Sequence, residues 1–353
     1  MKISLVLLCV WTLALSVFGR NRAADKAAVK ERVDAEYESL FGLYKHLHAH
    51  PELSFMEKNT ADRIAAELRA AGLTVTQNVG GHGVVGVMKN GAGPTVLVRC
   101  DLDGLPVKEN PGLPFASQYR MKDEQGNEVS TMHACGHDIH MTSFVGTARV
   151  LAGMKDRWKG TLVMIGQPAE ERGGGAKAML ADKLFERFPL PDYCVALHVS
   201  SAMPAGMVGY AEGYALANVD SVDIKIFGVG GHGAYPQATK DPVLLAAQTI
   251  VALQSIVSRE IAPIEPAVVT VGSIHGGAKH NVIPEEVDLQ LTVRSYSDET
   301  RNKLLSAIER IARGQAVSAG LPEDKMPVVT VKDEYTPSTY NDPALTRRLV
   351  KVF

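Results

Sequence analysis

Cys135 and His137 lie on either side of Gly136, within the run Met-His-Ala-Cys-Gly-His-Asp-Ile-His that spans 132–140. On a helix, two side chains at this spacing would point roughly 200° apart and could not bind one ion together. On a loop, with glycine between them, both can turn toward the same cation. Thiolate and imidazole suit zinc, and also manganese, cobalt or nickel. The motif predicts a metal site, although such a run by itself also occurs in surface loops that bind nothing.

More groups of this kind follow three apolar runs that predict buried strands. Asp101 and Asp103 end the first run, Glu170 and Glu171 follow the second, and His198 ends the third. Sites in open α/β sheets gather at this carboxyl edge. Two adjacent carboxylates repel, and a cation is the simplest group that keeps both ionised. One glutamate could then bind the metal while the other takes a proton from an activated water.

The elements that must position these groups alternate between helix and strand. From 30 to 214, helices at 33–48, from 60 and at 139–151 alternate with short apolar strands, which is typical of an α/β architecture and predicts a metal-binding catalytic domain. Residues 215–332 follow the order β-α-β-β-α-β, a ferredoxin-like unit that forms a domain of its own. Residues 333–353 are expected to begin a returning catalytic segment that is cut short at Phe353.

The first 23 residues predict a signal peptide, because Lys2 precedes an apolar stretch at 3–18 and Gly19-Arg-Asn-Arg then ends it. An uncleaved anchor is the alternative. We therefore expect an exported protein, periplasmic or secreted, without membrane contact after signal removal. The net charge of −2 and the lack of a basic run exclude nucleic acid as an expected partner.

Two further cysteines are predicted to be structural. Cys100 ends one apolar run and Cys194 begins another, so both are expected to be small buried hydrophobic residues. Cys9 falls in the predicted signal peptide, and the remaining three cysteines do not form a disulfide framework. Cys135 alone has neighbours of the metal-binding type.

In their order along the chain, these motifs resemble the dinuclear metal amidohydrolases. That family includes hippurate hydrolases, N-acyl-amino-acid amidohydrolases and auxin-conjugate (IAA-amino acid) hydrolases, and is related to aminoacylase and glutamate carboxypeptidase. The resemblance runs from about 48 to 297 and includes His-Pro-Glu-Leu-Ser (50–54), Gln-Pro-Ala-Glu-Glu (167–171), Gly-Gly-His-Gly-Ala-Tyr-Pro (230–236) and His-Asn-Val-Ile-Pro (280–284). It implies an α/β fold, with a metallo-exopeptidase-like catalytic domain and an inserted ferredoxin-like dimerisation domain.

The resemblance also implies a role for individual residues. Two divalent metal ions, zinc or manganese with cobalt or nickel as alternatives, would share Cys135 as a bridging ligand. The further ligands would be His137, Glu171 and His198. Glu170 would be the general base, and Asp103 a carboxylate that supports the ligands from behind.

The predicted ferredoxin-like domain would supply the substrate contacts. By the resemblance, His232 would reach across a homodimer to stabilise the oxyanion, while Asn281 and Arg294 would hold the substrate carboxylate. His232 lies between glycines, which allow close approach to a ligand, and Arg294 suits bidentate carboxylate recognition. The expected partners are thus a small N-acyl-amino acid and a second copy of this chain.

The sequence therefore predicts a metal-dependent hydrolase that cleaves the amide bond of N-acyl-amino acids, hippurate-like or auxin-conjugate-like. Three alternatives remain open. One is a metallo-exopeptidase that acts on small peptides. Another is a cysteine hydrolase with Cys135 as nucleophile and His137 as base. The third is an inactive binding protein, because the family's last metal-ligand histidine lies in a C-terminal segment with no counterpart before Phe353.

Overall fold

The computed structural model describes residues 22–110, 112–333 and 335–353. The predicted signal peptide lies outside these residues, apart from Arg22 and Ala23. The chain divides into two compact units, of which the first ends at Ser200 and the second begins at Ser201. Each unit has its own hydrophobic core.

The first unit is an α/β layer structure around a five-stranded sheet. Its helices are α1 (Arg22–Ala49), α2 (Lys58–Ala70), α3 (His137–Ala152), α4 (Gly175–Ala181) and α5 (Leu184–Arg187). Its strands are β1 (Thr74–Val79), β2 (Gly83–Asn90), β3 (Thr95–Asp101), β4 (Arg120–Lys122), β5 (Glu128–Ser130), β6 (Gly160–Gln167) and β7 (Tyr193–Ala196). The sheet order is β1-β2-β6-β3-β7, with β4 and β5 forming a separate hairpin. Because β3 is parallel to both β6 and β7, the carboxyl ends of these three strands lie at one edge.

Packing of α2 against this sheet follows from its sequence pattern. Ile64, Ala65 and Leu68 share one helical face and are completely buried. The helix comes so close to β2 that a Cβ added at Gly86 would lie 3.0 Å from Leu68 Cδ1. Glycine in the middle of β2 therefore makes room for the helix that covers the sheet.

The second unit contains the predicted β-α-β-β-α-β order. Its strands are β8 (Gly213–Leu216), β9 (Asp220–Phe227), β10 (Gly231–His232), β11 (Val268–Gly276), β12 (Val282–Ile283), β13 (Glu286–Arg294), β14 (Val328–Val331) and β15 (Thr339–Asn341). Its helices are α6 (Pro242–Ser255), α7 (Asp298–Ser318) and α8 (Pro343–Val350). The main sheet has the antiparallel order β11-β13-β9-β14, which is the ferredoxin-like arrangement. The prediction of this fold is confirmed.

Burial in the second unit alternates along its central strands. Val222, Ile224 and Ile226 point into the core from β9, and Leu289 and Leu291 do so from β13. The stretch Pro242–Glu260 is long and apolar enough by composition to cross a membrane. Its residues Leu245, Leu253 and Ile256 belong to the same buried core, as in the core helix of a globular domain.

The structure differs from the sequence predictions in several places. The strand β1, the β4–β5 hairpin and the pairing of β8 with β15 were not predicted, because these short segments lack a clear apolar pattern. Helix α1 begins eleven residues earlier than expected, at Arg22 rather than at 33. The prediction that Cys194 is buried is wrong, since its side chain is exposed, whereas Cys100 is buried as expected. Cys194 lies on β7, which is at one edge of the sheet among the described strands, and this position accounts for its exposure.

Candidate metal centre

The turn into α3 and the ends of β6 and β7 bring the predicted ligands together. Gly136 occupies the N-cap of α3 with a φ of 79°, and His137 is the first residue of the helix. A Cβ at position 136 would lie 2.3 Å from a methyl carbon of Val199, the residue after His198. Glycine is therefore needed both for the left-handed turn and for the close approach of the segment that carries His198.

Three ligand atoms from Cys135, His137 and His198 lie within 4.8 Å of one another. The distance from Cys135 Sγ to His198 Nε2 is 3.4 Å. A tetrahedral ion with sulfur at about 2.3 Å and nitrogen at about 2.0 Å separates two such atoms by about 3.5 Å. His137 Nε2 also lies 3.8 Å from Glu170 Oε2 and 3.9 Å from Glu171 Oε1, so both glutamates border the same site.

Hydrogen bonds from behind orient both histidines. His137 Nδ1 donates to the backbone carbonyl of Asp103 at 2.8 Å, and His198 Nδ1 donates to that of Val199 at 2.7 Å. With the proton on Nδ1, each ring presents the lone pair of Nε2 to the cluster, as metal-binding histidines do. His137 Nε2 and Glu171 Oε1 are buried and have no hydrogen-bond partner among the described residues. Such acceptors are costly unless a cation satisfies them, so the residues present fit a metal.

The charge around this cluster also favours a cation. Burial opposes protonation of His137, but its hydrogen bond to Asp103 and the charge of Asp101 raise the pKa to about 9. Burial, together with the carboxylates of Glu171 and Glu170, raises the pKa of the Cys135 thiol to about 12. A thiol in this environment is a poor nucleophile, because catalytic cysteines need a lowered pKa. The electrostatics therefore argue against the cysteine-hydrolase alternative.

Asp103 connects His137 with the adjacent glutamates. One carboxylate oxygen accepts hydrogen bonds from the Ser54 hydroxyl at 2.6 Å and from the Glu171 N–H at 3.0 Å. Burial alone would raise the pKa of Asp103, but hydrogen bonds with His137, Ser54 and Glu171 lower it below its ordinary value. Asp103 thus remains ionised directly behind two of the predicted ligands.

Glu170 lies on the open side of the cluster and its side chain is 37% exposed. Burial and the nearby charge of Asp101 raise the pKa of its carboxyl group. A raised pKa is what a carboxylate needs to accept a proton and return it near neutral pH. Glu171, in contrast, is held by its backbone bond to Asp103, with a more buried side chain. The two glutamates therefore differ in environment, as the predicted roles of base and ligand require.

Sequence reasoning missed His140, and it noted Asp101 without giving it a place in the site. His140 Nε2 accepts the backbone N–H of Val199 at 3.0 Å, and its Nδ1 lies 3.5 Å from Asp101 Oδ2. Asp101 is also bound by Arg99. His140 thereby helps to hold the segment that carries His198. Its spacing was a usable signal, because His137 and His140 are three residues apart and share one face of α3.

The predicted substrate-binding residues all belong to the second unit. His232 in β10 is paired with Val282 in β12, and the N–H of the next residue, Gly233, donates to the Asn281 carbonyl at 2.8 Å. His232 and Asn281 are therefore neighbours, and both are exposed. Arg294 lies at the far end of β13, roughly 27 Å from its first residue at about 3.4 Å per residue. Within this unit, the structure brings together His232 and Asn281 but not Arg294.

Sequence comparison identifies the family. Residues 97–353 match the profile of Peptidase family M20/M25/M40. This chain belongs to that family. M20 relatives include thermostable carboxypeptidase 1 of Saccharolobus solfataricus, 35% identical over 87% of this chain and 75% of the relative. Hippurate hydrolase of Campylobacter jejuni is 40% identical over 76% of this chain and 68% of the relative.

A solved M20 structure agrees with the fold. A Bacillus subtilis protein described as a dinuclear metal binding peptidase from the M20 family has a TM-score of 0.74 and 30% sequence identity. The match covers 90% of this chain and 79% of that protein. The predicted family and the α/β fold are thereby confirmed. The individual residue roles stay predictions.

Proposed function

We propose that this M20 protein is a metal-dependent amidohydrolase that cleaves N-acyl-amino acids into a carboxylate and an amino acid. The observation that carries the proposal is the convergence of Cys135, His137 and His198 beside an adjacent pair of glutamates. The hippurate hydrolase among its relatives supports an amide of this class as the substrate.

The proposed cofactor is a pair of divalent metal ions, zinc or manganese, with cobalt or nickel as further candidates. Cys135, His137, Glu171 and His198 would be the ligands that this chain supplies to the ions. The mixed donor set of sulfur, nitrogen and oxygen suits borderline divalent metals. When bound, such ions polarise an amide carbonyl and lower the pKa of water. The neighbour described as dinuclear metal binding supports two ions rather than one.

Glu170 would move the proton during hydrolysis. Its carboxylate lies 3.8 Å from His137 Nε2 at the open side of the cluster, where it can accept a proton from the attacking water and deliver it to the leaving nitrogen. Asp103 would keep His137 and Glu171 in place through its hydrogen bonds. His232 would donate to the oxyanion that develops on the carbonyl oxygen.

The active form would be a homodimer in which His232 acts on the partner's site. The nine-residue strand β11 is an edge strand among the described strands, with exposed Val268 and Ile274, and such edges are usually paired or covered. One unit cannot bring Arg294 to His232 and Asn281. A two-fold dimer would let one chain supply Arg294 and the other supply His232 and Asn281. We also propose that the protein is exported, on the basis of the apolar stretch at 3–18.

The test uses purified protein and three substrates: N-benzoylglycine, an N-acetyl-amino acid and a dipeptide. We expect hydrolysis of the first two, loss of activity after treatment with a chelator, and recovery on adding zinc or manganese. Iodoacetamide should not inactivate the metal-loaded protein. Cleavage of the dipeptide alone would support the exopeptidase alternative. Activity that survives complete metal removal would contradict the proposal.

A further inference from the structure

Two buried glutamates lie near the start of α2 and differ in what they bind. Glu52 acts as the helix cap, because its carboxylate accepts the Thr60 N–H and the Asn59 side-chain amide, each at 2.7 Å. Glu57 occupies the N-cap position itself, where shorter polar side chains such as aspartate or serine accept N–H groups of their own helix. Its side chain makes no such bond in the described structure. The carboxyl group of Glu57 is therefore directed elsewhere.

Glu57 reaches across the fold to the turn after β6. Its Oε1 accepts the Ala169 N–H at 2.6 Å and the Phe55 N–H at 2.9 Å, and the residue is completely buried. Ala169 and Phe55 have φ values of 45° and 65°, in the left-handed region that side chains other than glycine rarely adopt. One carboxylate oxygen thus holds two unusual backbone positions that are distant in sequence.

The turn that Ala169 begins carries Glu170 and Glu171. The Ala169 carbonyl accepts the N–H groups of Gly174 and Gly175, each at 3.2 Å, which closes the turn. A Cβ at Gly175 would lie 1.5 Å from the Pro168 carbonyl oxygen, so the two sides of the turn are in close contact. Because the turn is closed on itself, its position on the fold depends on the bond from the Ala169 N–H to Glu57, together with the bond from the Glu171 N–H to Asp103.

We propose that Glu57 is a positioning residue that aims Glu170 and Glu171 at the metal centre by holding the Ala169 N–H. It acts as a hydrogen-bond acceptor, and its charge is not required. Glu57 Oε2 has no partner among the described residues, so a glutamine could place its amide nitrogen there and keep the carbonyl oxygen on both N–H groups. Consistent with this, burial raises the pKa of Glu57 to about 7.

The first measurement needs neither substrate nor metal, so its outcome is independent of the proposed function. Hydrogen exchange of a peptide covering 168–175 is followed in wild type, Glu57→Gln, Glu57→Met and the matched control Glu52→Met. We expect Glu57→Met to speed exchange of this peptide at least tenfold, and Glu57→Gln to change it less than threefold. Glu52→Met should instead speed exchange at the start of α2 and leave 168–175 protected.

The second measurement connects the turn to the site and rests on the proposed function. We expect Glu57→Met to weaken zinc binding at least tenfold and to lower kcat for an N-acetyl-amino acid at least thirtyfold, with KM within threefold of wild type. Glu57→Gln should restore both quantities, and Glu52→Met should leave them within threefold. An inactive wild type would contradict the proposed function and leave the exchange result standing.

Two outcomes would overturn the role of Glu57. One is unchanged exchange at 168–175 in Glu57→Met. The other is a loss of kcat in Glu57→Gln as large as that in Glu57→Met, which would mean that the charge is needed. If Glu57→Met does not fold, Glu57→Gln alone decides, because a folded glutamine variant with a thirtyfold loss of kcat contradicts an acceptor role.

Discussion

The two units differ in how their candidate functional residues are held, and the contrast is sharpest at the most buried ones. In the first unit, His137 and Asp103 are almost completely buried and hydrogen-bonded to groups far away in the sequence. In the second unit, His232, Asn281 and Arg294 are exposed at strand ends. The first arrangement is preorganised by the fold, because buried polar groups must find partners. The second is defined only locally, and its residues are available to contact a ligand or another chain.

Each unit also contains a buried ionic contact outside its candidate functional residues, and these two contacts differ in what they hold. His48 bonds Asp138 through Nδ1 and Glu109 through Nε2, both at 2.7 Å, and Asp138 directly follows the predicted ligand His137. In the second unit, Arg301 forms a bidentate pair with buried Asp220, at 2.8 and 2.7 Å. The first contact ties α1 to the start of α3, whereas the second supports the fold alone.

The largest expected effect concerns the catalytic unit. Glu170→Gln should lower kcat at least a hundredfold, since removal of a general base typically costs 10²–10⁴-fold. Metal content by elemental analysis should stay near that of wild type, because Glu170 is not needed as a ligand. If Glu170→Gln lost the metal while Glu171→Gln kept it, the two roles would be reversed.

Metal binding should depend steeply on pH. In the metal-free protein, the pKa of His137 is about 9 and that of Cys135 about 12, so both are protonated at pH 7. Binding must displace these protons, so affinity rises with pH, by about ten- to a hundredfold per pH unit for one or two protons released. Competition titrations with zinc at pH 6.5 and 7.5 measure the slope. Cys135→Ser should reduce both the pH dependence of zinc affinity and the metal content. If both stay unchanged, Cys135 is not a metal ligand.

Breaking either of these two buried ionic contacts should destabilise the protein, but only the contact in the first unit should affect metal binding. His48→Leu and Arg301→Leu should each lower the free energy of unfolding by about 3 kcal/mol. The first leaves buried Asp138 and Glu109 without their shared partner, and the second leaves buried Asp220 without its partner. We expect His48→Leu to weaken zinc binding as well, and Arg301→Leu to leave it unchanged. Chemical denaturation and zinc titration of the same samples provide both quantities. A loss of zinc affinity in Arg301→Leu would contradict the claim that the contact in the second unit does not support the metal site.

The contribution of His48 should also vary with pH. Burial lowers the pKa of His48, but hydrogen bonds to Asp138 and Glu109 outweigh this and raise it above its ordinary value near 6.5. A raised pKa contributes stability that is fully present below the unfolded pKa and is lost as pH rises through the folded pKa. The stability difference between wild type and His48→Leu should therefore be largest below pH 6.5 and shrink at alkaline pH. A difference that grows with pH would mean that His48 is neutral in the folded protein.

The smallest expected signal tests whether the exposed residues of the second unit act across a dimer. Mixing His232→Ala with Glu170→Gln subunits should recover roughly a quarter of wild-type activity, because about half of the dimers are mixed and each has one intact site of two. Subunit exchange is verified with two affinity tags. If activity does not recover although the subunits have exchanged, His232 does not act on the partner's site. A monomeric wild type would contradict the proposed homodimer.

Much of this protein is determined by its sequence. Ile64 and Leu68 share one face of α2 because an apolar period near 3.6 requires it, and the alternation of β9 and β13 specifies a half-buried antiparallel sheet. The motifs around Cys135 and Glu170 predict a metal site, and the order of all the motifs between about 48 and 297 predicts the family. These signals are local, since each depends on residues within a few positions of one another.

Tertiary structure alone decided the contacts that hold the site. Glu57 and Ala169 are hydrogen-bonded although they are 112 residues apart in the sequence, and His140 and Val199 although they are 59 apart. No local pattern could identify these partners. The exposure of Cys194 depends likewise on the position of β7 at an edge of the described sheet, which is a property of the strand order. A buried hydrogen-bond donor or acceptor can be satisfied by any complementary group of suitable geometry. The sequence shows that such groups need partners, but only the packing of distant elements determines which residues provide them.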